Sequence, residues 1–171
     1  EYLKELLNFK EESIYDIRTA KVINLGSGPI FSSLTIDLGS NDGIKKNLPI
    51  ITTNGIVGKT ILINEETSLV QTINDANFRL SVKILPSEAT GIMRFYDNDV
   101  FEIREIQKNA NIKIGDKVVT SGFSKIYPEG LNAGVVSEII DNRGSFQKVA
   151  RSKNPFSDNN KLYVFVVQEQ N

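Results

Sequence analysis

The segment from Ile112 to Val136, IKIGDKVVTSGFSKIYPEGLNAGVV, contains the pattern that decides the fold of this chain. A β-branched run, residues 118–120, ends at Ser121-Gly122, and Gly134 precedes a second run, residues 135–136. β-Branched residues favour strands, whereas glycine and proline favour turns, as in Pro128-Glu129-Gly130. The segment therefore predicts two strands that flank an ordered loop carrying aromatic side chains.

A similar pattern occurs earlier in the chain. Residues 44–53, IKKNLPIITT, align with residues 112–121, IKIGDKVVTS. After each copy the chain reaches a glycine turn and a new strand, from Gly58 onward in the first copy and from Gly134 onward in the second. Two copies of one supersecondary unit indicate two similar small modules.

Other stretches also predict strands, at intervals of roughly ten residues. In the clearest one, Phe78, Leu80, Val82 and Ile84 alternate with polar residues, as in a strand with one buried face. We therefore predict an all-β fold with a short N-terminal helix and two small β-barrel-like modules related by an internal repeat. The predicted boundaries are 1–13 for the end of the N-terminal helix or coiled coil, 14–105 for the first module and 106–171 for the second. An alternative stays open in which a strand near 16–25 pairs with the second module, since chain ends often lie close together.

The composition excludes several classes of function. The chain has 171 residues, enough to bury a core, and its 40% hydrophobic and 24% charged residues are ordinary for a globular protein. With 20 basic and 21 acidic residues the net charge is −1, so nothing indicates a nucleic-acid partner. The absence of cysteine excludes disulfides and thiol chemistry. No apolar run is long enough to span a bilayer, but the chain begins at Glu1 without methionine, so we expect a fragment of a longer protein.

The N-terminal residues 1–12 predict a helix, because Leu3, Leu6 and Leu7 recur at helical spacing among charged residues. An isolated helix of this length is marginal in water, so its apolar stripe needs a partner surface. Two interpretations remain: the helix caps the β-core, or it is the end of a longer self-associating helix.

Catalytic residues are difficult to find in this sequence. Histidine and cysteine are both absent, which removes the commonest general base and the commonest nucleophile pairs. Ser121 or Ser124 with Lys125 is a conceivable serine–lysine pair, and Asp37 with Asp42 a conceivable carboxylate pair, but loop and turn roles explain these residues better. We predict that the chain is not an enzyme and needs neither a metal nor another cofactor.

Aromatic side chains in loops are the best candidates for partner binding, because buried aromatic anchors dominate many protein interfaces. Phe123 and Tyr127 lie in the glycine-framed loop beside Lys125, and Phe146 lies in a later loop. We predict that these four residues contact a partner protein, and that the loop exposes Phe123 or Tyr127 instead of burying both.

Four motifs occur in a fixed order: residues 36–44 (IDLGSNDGI), 54–59 (NGIVGK), 115–122 (GDKVVTSG) and 127–131 (YPEGL). Together they resemble the MreC family of bacterial rod-shape-determining proteins, and the resemblance covers nearly the whole chain. Two positions depart from the family pattern. Asn47 stands where glycine is expected, and Asn132 where an apolar residue is expected.

This resemblance implies a non-catalytic scaffold of the cell-elongation machinery that organises and activates peptidoglycan synthases and so maintains rod or helical cell shape. It implies paired β-barrels on the periplasmic or extracytoplasmic face, anchored to the inner membrane by an N-terminal helix that this chain lacks. The implied partners are a class B penicillin-binding transpeptidase, MreD and other membrane proteins of the elongation complex. It also implies a homodimer or higher assembly, with Leu3, Leu6 and Leu7 at the end of a coiled coil.

A periplasmic adaptor subunit of an efflux or secretion system is the alternative, because such adaptors also join helices to β-barrel modules. Those adaptors insert a long helical hairpin in the middle of the chain. Here the predicted helix is terminal and the middle is strand, which argues against an adaptor.

Overall fold

The structure is a computed structural model that describes residues 1–26, 32–155 and 163–168. These residues form one α-helix, one short 3-10 helix at Ser40–Asp42 and twelve β-strands. In chain order the elements are α1 (Tyr2–Glu12), β1 (Ile17–Leu25), β2 (Ser33–Ile36), β3 (Pro49–Thr52), β4 (Gly55–Ile63), β5 (Ser68–Thr72), β6 (Leu80–Leu85), β7 (Ala89–Asp97), β8 (Val100–Gln107), β9 (Lys117–Thr120), β10 (Asn132–Ile140), β11 (Gln147–Lys153) and β12 (Tyr163–Val167).

The strands form two closed antiparallel barrels, which confirms the predicted fold class. The first barrel has the strand order β1-β12-β3-β4-β5-β2, and the second has the order β10-β11-β8-β7-β6-β9. Closure pairs every strand with two neighbours and so removes the unpaired edges that otherwise invite aggregation.

Each barrel encloses a core of its own. Inward-facing residues alternate with outward-facing ones, as in β6, where Leu80, Val82 and Ile84 are buried as the sequence predicts. Nearly inaccessible side chains of the first barrel include Leu34, Ile36, Ile50, Ile56, Val70 and Phe165, and those of the second include Leu80, Ile84, Met93, Phe101, Ile103 and Ile106.

The domain boundary predicted at residue 105 has to be corrected. The first compact unit comprises residues 1–72 together with the C-terminal strand β12. The second unit begins at Ile73. Strand β1 does pair with the C-terminal end of the chain, with Ile17 opposite Val167, but both strands belong to the first barrel. Strand β12 therefore closes the barrel that β1 opens.

The internal repeat has a structural basis in two equivalent strand pairs. Ile50 lies opposite Gly58 in the first barrel, and Val118 lies opposite Gly134 in the second. A Cβ atom at Gly58 would lie 1.9 Å from the Gln71 carbonyl oxygen, and one at Gly134 would lie 2.7 Å from the Lys153 carbonyl oxygen. Both glycines are required because the neighbouring backbone approaches too closely for any side chain.

Candidate partner-binding surfaces

The loop between β9 and β10, residues 121–131, is tied down by the last residue of β9. Thr120 is fully buried, and its hydroxyl donates to the Pro128 carbonyl oxygen at 2.6 Å and accepts the Leu131 amide at 2.9 Å. The Gly130 amide also donates to the Thr120 carbonyl oxygen at 3.0 Å. A single threonine thus satisfies three backbone groups at the base of the loop, which holds its two ends together.

The outer side of the loop is braced from the neighbouring strand β6. Lys83 forms an ion pair with Glu129, and the hydrogen bond from Lys83 to this carboxylate raises the pKa of the lysine. The Ser121 hydroxyl lies 2.8 Å from the Ser81 hydroxyl. The sequence analysis missed Lys83 and Ser81, because they lie in a strand remote in sequence from the loop.

Tyr127 is the internal anchor of the loop, which corrects its assignment as a partner-binding residue. Its side chain is 5% exposed, and its ring meets the Phe78 ring edge-on with 6.2 Å between centroids. Burial raises the pKa of the Tyr127 phenol. Within the part of the chain that the structure describes, its hydroxyl has no hydrogen-bond partner. A side chain enclosed in this way stabilises the loop and is not available to a partner.

Phe123 and Lys125 lie on the outside of the same loop and are called here the loop face. Phe123 is 76% exposed, although its amide is held at 3.2 Å by the Ser121 hydroxyl, and Lys125 is exposed as well. An exposed phenyl ring on an internally braced backbone has the geometry of an interface anchor, since little further ordering is needed on binding.

Phe146 is 95% exposed but lies at the other end of the second barrel. It follows the turn that joins β10 to β11, whereas Phe123 precedes β10. The nine residues of β10 separate the two ends by roughly 25 Å. The four predicted residues are therefore not brought together, and no compact patch contains both phenylalanines.

The N-terminal helix divides the leucine stripe between two faces. Leu6 is 6% exposed and lies on the docked face with Phe9, whose ring lies 5.1 Å from that of Phe165 in β12. Leu3 and Leu7 remain 63% and 55% exposed. The assignment of Leu6 to a self-association stripe is therefore corrected, because packing on the first barrel already occupies it, while Leu3 and Leu7 stay open to a second chain.

The residues considered for catalysis have structural contacts. Asp42 accepts the Gly39 amide and pairs with Arg18 at 3.4 Å, and Asp37 accepts the Lys21 amide at 2.8 Å. The Ser124 hydroxyl accepts the Ile126 amide at 3.1 Å. These contacts support the turn and loop roles that the sequence favoured.

Two closed barrels preceded by a short N-terminal helix define an all-β protein of the double-barrel class. The family model "Rod shape-determining protein MreC, barrel core" matches residues 22–168. The chain therefore belongs to the MreC family, and the adaptor alternative is set aside.

Known relatives agree with this membership. The chain is 30% identical over 154 residues to the cell shape-determining protein MreC of Listeria monocytogenes, covering 86% of this chain and 52% of that protein. It thus spans about half the length of this relative. A solved MreC structure superimposes with a TM-score of 0.90 at 26% identity, covering 97% of this chain and 95% of that one.

A further solved structure, a complex between the penicillin-binding protein PBP2 and MreC from Helicobacter pylori, superimposes with a TM-score of 0.72. Its identity is 21%, with 90% of this chain and 98% of that one covered, so the likeness concerns the fold. No helix among the described residues is long and apolar enough to cross a membrane.

Proposed function

We propose that this chain is a non-catalytic, extracytoplasmic scaffold of the cell-elongation machinery that binds and activates a peptidoglycan synthase. The partner is a class B penicillin-binding transpeptidase, and the binding site includes the loop face of the second barrel. Support for the partner comes from the fold shared with an MreC that forms a complex with PBP2.

The observation that carries this proposal is the 76% exposure of Phe123 on a loop whose other aromatic, Tyr127, is buried. The exposed Phe123 ring stays in water when the chain folds, so it gains no hydrophobic stabilisation there. Transfer of the ring from water into a pocket on a partner is favourable. The exposed cation of Lys125, two residues further along the same loop, favours a pocket with an acidic rim on the transpeptidase.

Activation requires more than contact. A scaffold shifts an enzyme between two conformations only to the extent that it binds one more tightly than the other. The braced loop suits this role, since a surface that does not rearrange can discriminate between two arrangements of its partner. The chain acts by binding, and it needs neither a metal nor a cofactor.

The exposed Leu3 and Leu7 support self-association as part of the same proposal. The full protein is anchored to the inner membrane by a helix that precedes this segment, and the helix α1 continues a dimeric coiled coil. MreD and other membrane proteins of the elongation complex then contact parts of the protein outside this chain.

A hydrogen-exchange footprint tests the proposed site. Purified chain is mixed with the extracytoplasmic part of a class B transpeptidase, and amide protection is compared with that of the chain alone. We expect added protection in residues 121–131 and none in the turn at 141–146. Protection confined to the first barrel, or no complex at all, would contradict the proposal.

A further inference from the structure

A cleft of about 580 Å³ lies at the end of the second barrel opposite the loop face. One wall is the β6–β7 turn with the start of β7, residues 86–90, and the other is the end of β8 with the segment after it, residues 107–111. This volume is in the range typical of small-ligand sites. Nothing in the proposed contact with a transpeptidase uses this cleft.

The cleft is lined mainly by uncharged polar groups. Gln107, Asn109 and Asn111 lie on one wall, and Thr90 faces them from the other. Within the part of the chain that the structure describes, the three side-chain amides make no hydrogen bond to the protein. Each amide offers two donors and one acceptor oxygen, so the wall is a row of available hydrogen-bonding groups.

Charge contributes little to this lining. Glu88 is the charged member of the lining set, and its carboxylate lies 3.9 Å from the Lys83 ammonium, with which it forms an ion pair. A site without a free cation does not select phosphate or carboxylate ligands. The lining therefore fits a neutral ligand rich in hydroxyl and amide groups.

An exposed aromatic residue adjoins the strand that pairs with the start of the amide wall. Gln147 pairs with the lining residue Gln107 in the β11–β8 register, and Phe146 directly precedes Gln147 in the chain. The Lys148 ammonium donates to the Ala110 carbonyl oxygen at 2.7 Å, which holds the start of β11 against this wall. Phe146 is 95% exposed, so its flat apolar face is open to a ligand.

The turn that carries Phe146 is also braced. Lys108 forms an ion pair with Asp141 and donates to the Asn142 carbonyl oxygen at 2.6 Å. The hydrogen bond from Lys108 lowers the pKa of the Asp141 carboxyl. These contacts join the turn that precedes Phe146 to the chain segment that carries the amides.

From this arrangement we infer that the cleft is an oligosaccharide-binding site, in which Phe146 stacks on the apolar face of a sugar ring while Gln107, Asn109 and Asn111 bond to its hydroxyl and N-acetyl groups. A pyranose presents an apolar face and a hydroxyl-bearing edge, which match a ring and a row of amides. An extended peptide fits less well, because peptides commonly add a strand to a free sheet edge and this barrel is closed.

Titration of isotope-labelled chain with tetra-N-acetylchitotetraose, followed by amide chemical shifts, tests the inference. We expect saturable shifts at millimolar sugar that cluster in residues 86–90 and 107–111. Phe146→Ala should weaken binding about tenfold, which corresponds to about 1.4 kcal/mol, and Asn109→Ala should also weaken it. Phe123→Ala removes an exposed ring at the opposite end of the same barrel and should leave the affinity unchanged.

Three outcomes overturn the inference: no shifts at millimolar sugar, shifts that cluster elsewhere, or an affinity that Phe146→Ala leaves unaltered. A parallel titration with tetra-alanine separates the two ligand classes. Shifts in the cleft with tetra-alanine and none with the sugar would assign the cleft to peptide and contradict oligosaccharide binding.

Discussion

Asn47 in the first barrel and Gly115 in the second occupy equivalent positions and adopt the same left-handed backbone conformation, with φ of 66° and 96°. Each donates its backbone amide to the neighbouring strand at 2.8 Å, Asn47 to the Thr60 carbonyl oxygen in β4 and Gly115 to the Val136 carbonyl oxygen in β10. Asn47, where the resemblance led us to expect glycine, is thus accommodated, because asparagine tolerates this conformation better than most other residues with a Cβ atom.

From this equivalence we predict how two substitutions at Gly115 rank by their effect on the free energy of unfolding. Gly115→Ala should lower the free energy of unfolding by roughly 1–2 kcal/mol, because alanine is strained at this φ. A Cβ atom added at Gly115 would meet no other atom of the described residues within 4 Å, so the cost is conformational and not steric. Gly115→Asn should cost less. Urea unfolding measures both, and equal stability of the two variants would contradict the equivalence.

Thr120 and Thr60 make similar hydrogen bonds, although they are not counterparts in the repeat. The Thr60 hydroxyl donates to the Lys45 carbonyl oxygen at 2.6 Å and accepts the Leu48 amide at 2.9 Å, as Thr120 does for Pro128 and Leu131. Substituting valine at either position should cost about 1–3 kcal/mol, because the freed backbone groups lose their partner. Thr120→Val should also weaken transpeptidase binding by loosening the loop, and Thr60→Val should not. If the two variants bind the transpeptidase equally well, the loop is not part of the interface.

The sequence predicted the fold well because its signals are local. The alternation in residues 78–84 and the strand-and-turn pattern within each copy of the repeat, around Thr52 and around Thr120, depend on neighbouring residues only. The domain boundary was placed wrongly because the pairing of β1 with β12 joins the two ends of the chain, and no local pattern records that pairing.

The exposure of the candidate site residues could be predicted only in part. Phe123 and Tyr127 look alike as loop aromatics, and what separates them is the contact of Tyr127 with Phe78 in the preceding β5–β6 connection. Leu6 differs from Leu3 only through the docking of α1 on the first barrel. Burial of this kind depends on tertiary contacts, so spacing alone does not identify the exposed member of a pair.

Tyr127→Phe should keep or raise stability at neutral pH. The substitution removes a buried hydroxyl that lacks a partner among the described residues, a group whose burial typically costs about 1–3 kcal/mol. Tyr127→Ala should instead destabilise by about 3–5 kcal/mol, because it leaves a cavity beside Phe78. Thermal unfolding of both variants checks the ranking.

The burial of Tyr127 also leads us to predict that the protein loses stability at alkaline pH. Its folded-state pKa is raised above the ordinary value of 10.0, so above that pH the unfolded chain releases a proton that the folded chain retains. Stability from this group is therefore fully present below pH 10 and falls as the pH rises further. Tyr127→Phe should flatten this fall, measured as the urea midpoint against pH. An identical alkaline profile in wild type and variant would show that Tyr127 is not buried in solution.

Self-association through the N-terminal helix is tested by Leu3→Glu combined with Leu7→Glu. Both leucines are exposed, so the double variant should retain its melting temperature while charge repulsion weakens association. Sedimentation at high protein concentration compares it with wild type. Leu6→Ala is the matched contrast, because it should lower the melting temperature through lost packing on the barrel. If wild type and the double variant sediment as the same species, the helix serves only to cap the first barrel.

The most direct test of the proposed function is the affinity of the chain for the extracytoplasmic part of a class B penicillin-binding transpeptidase, measured for wild type, Phe123→Ala and Phe146→Ala. Both rings are largely exposed, so neither variant should lose melting temperature. We predict that Phe123→Ala weakens binding by roughly thirtyfold, about 2 kcal/mol, while Phe146→Ala binds as wild type does. Unchanged binding of Phe123→Ala, with the complex otherwise formed, would contradict the placement of the docking site on the loop face.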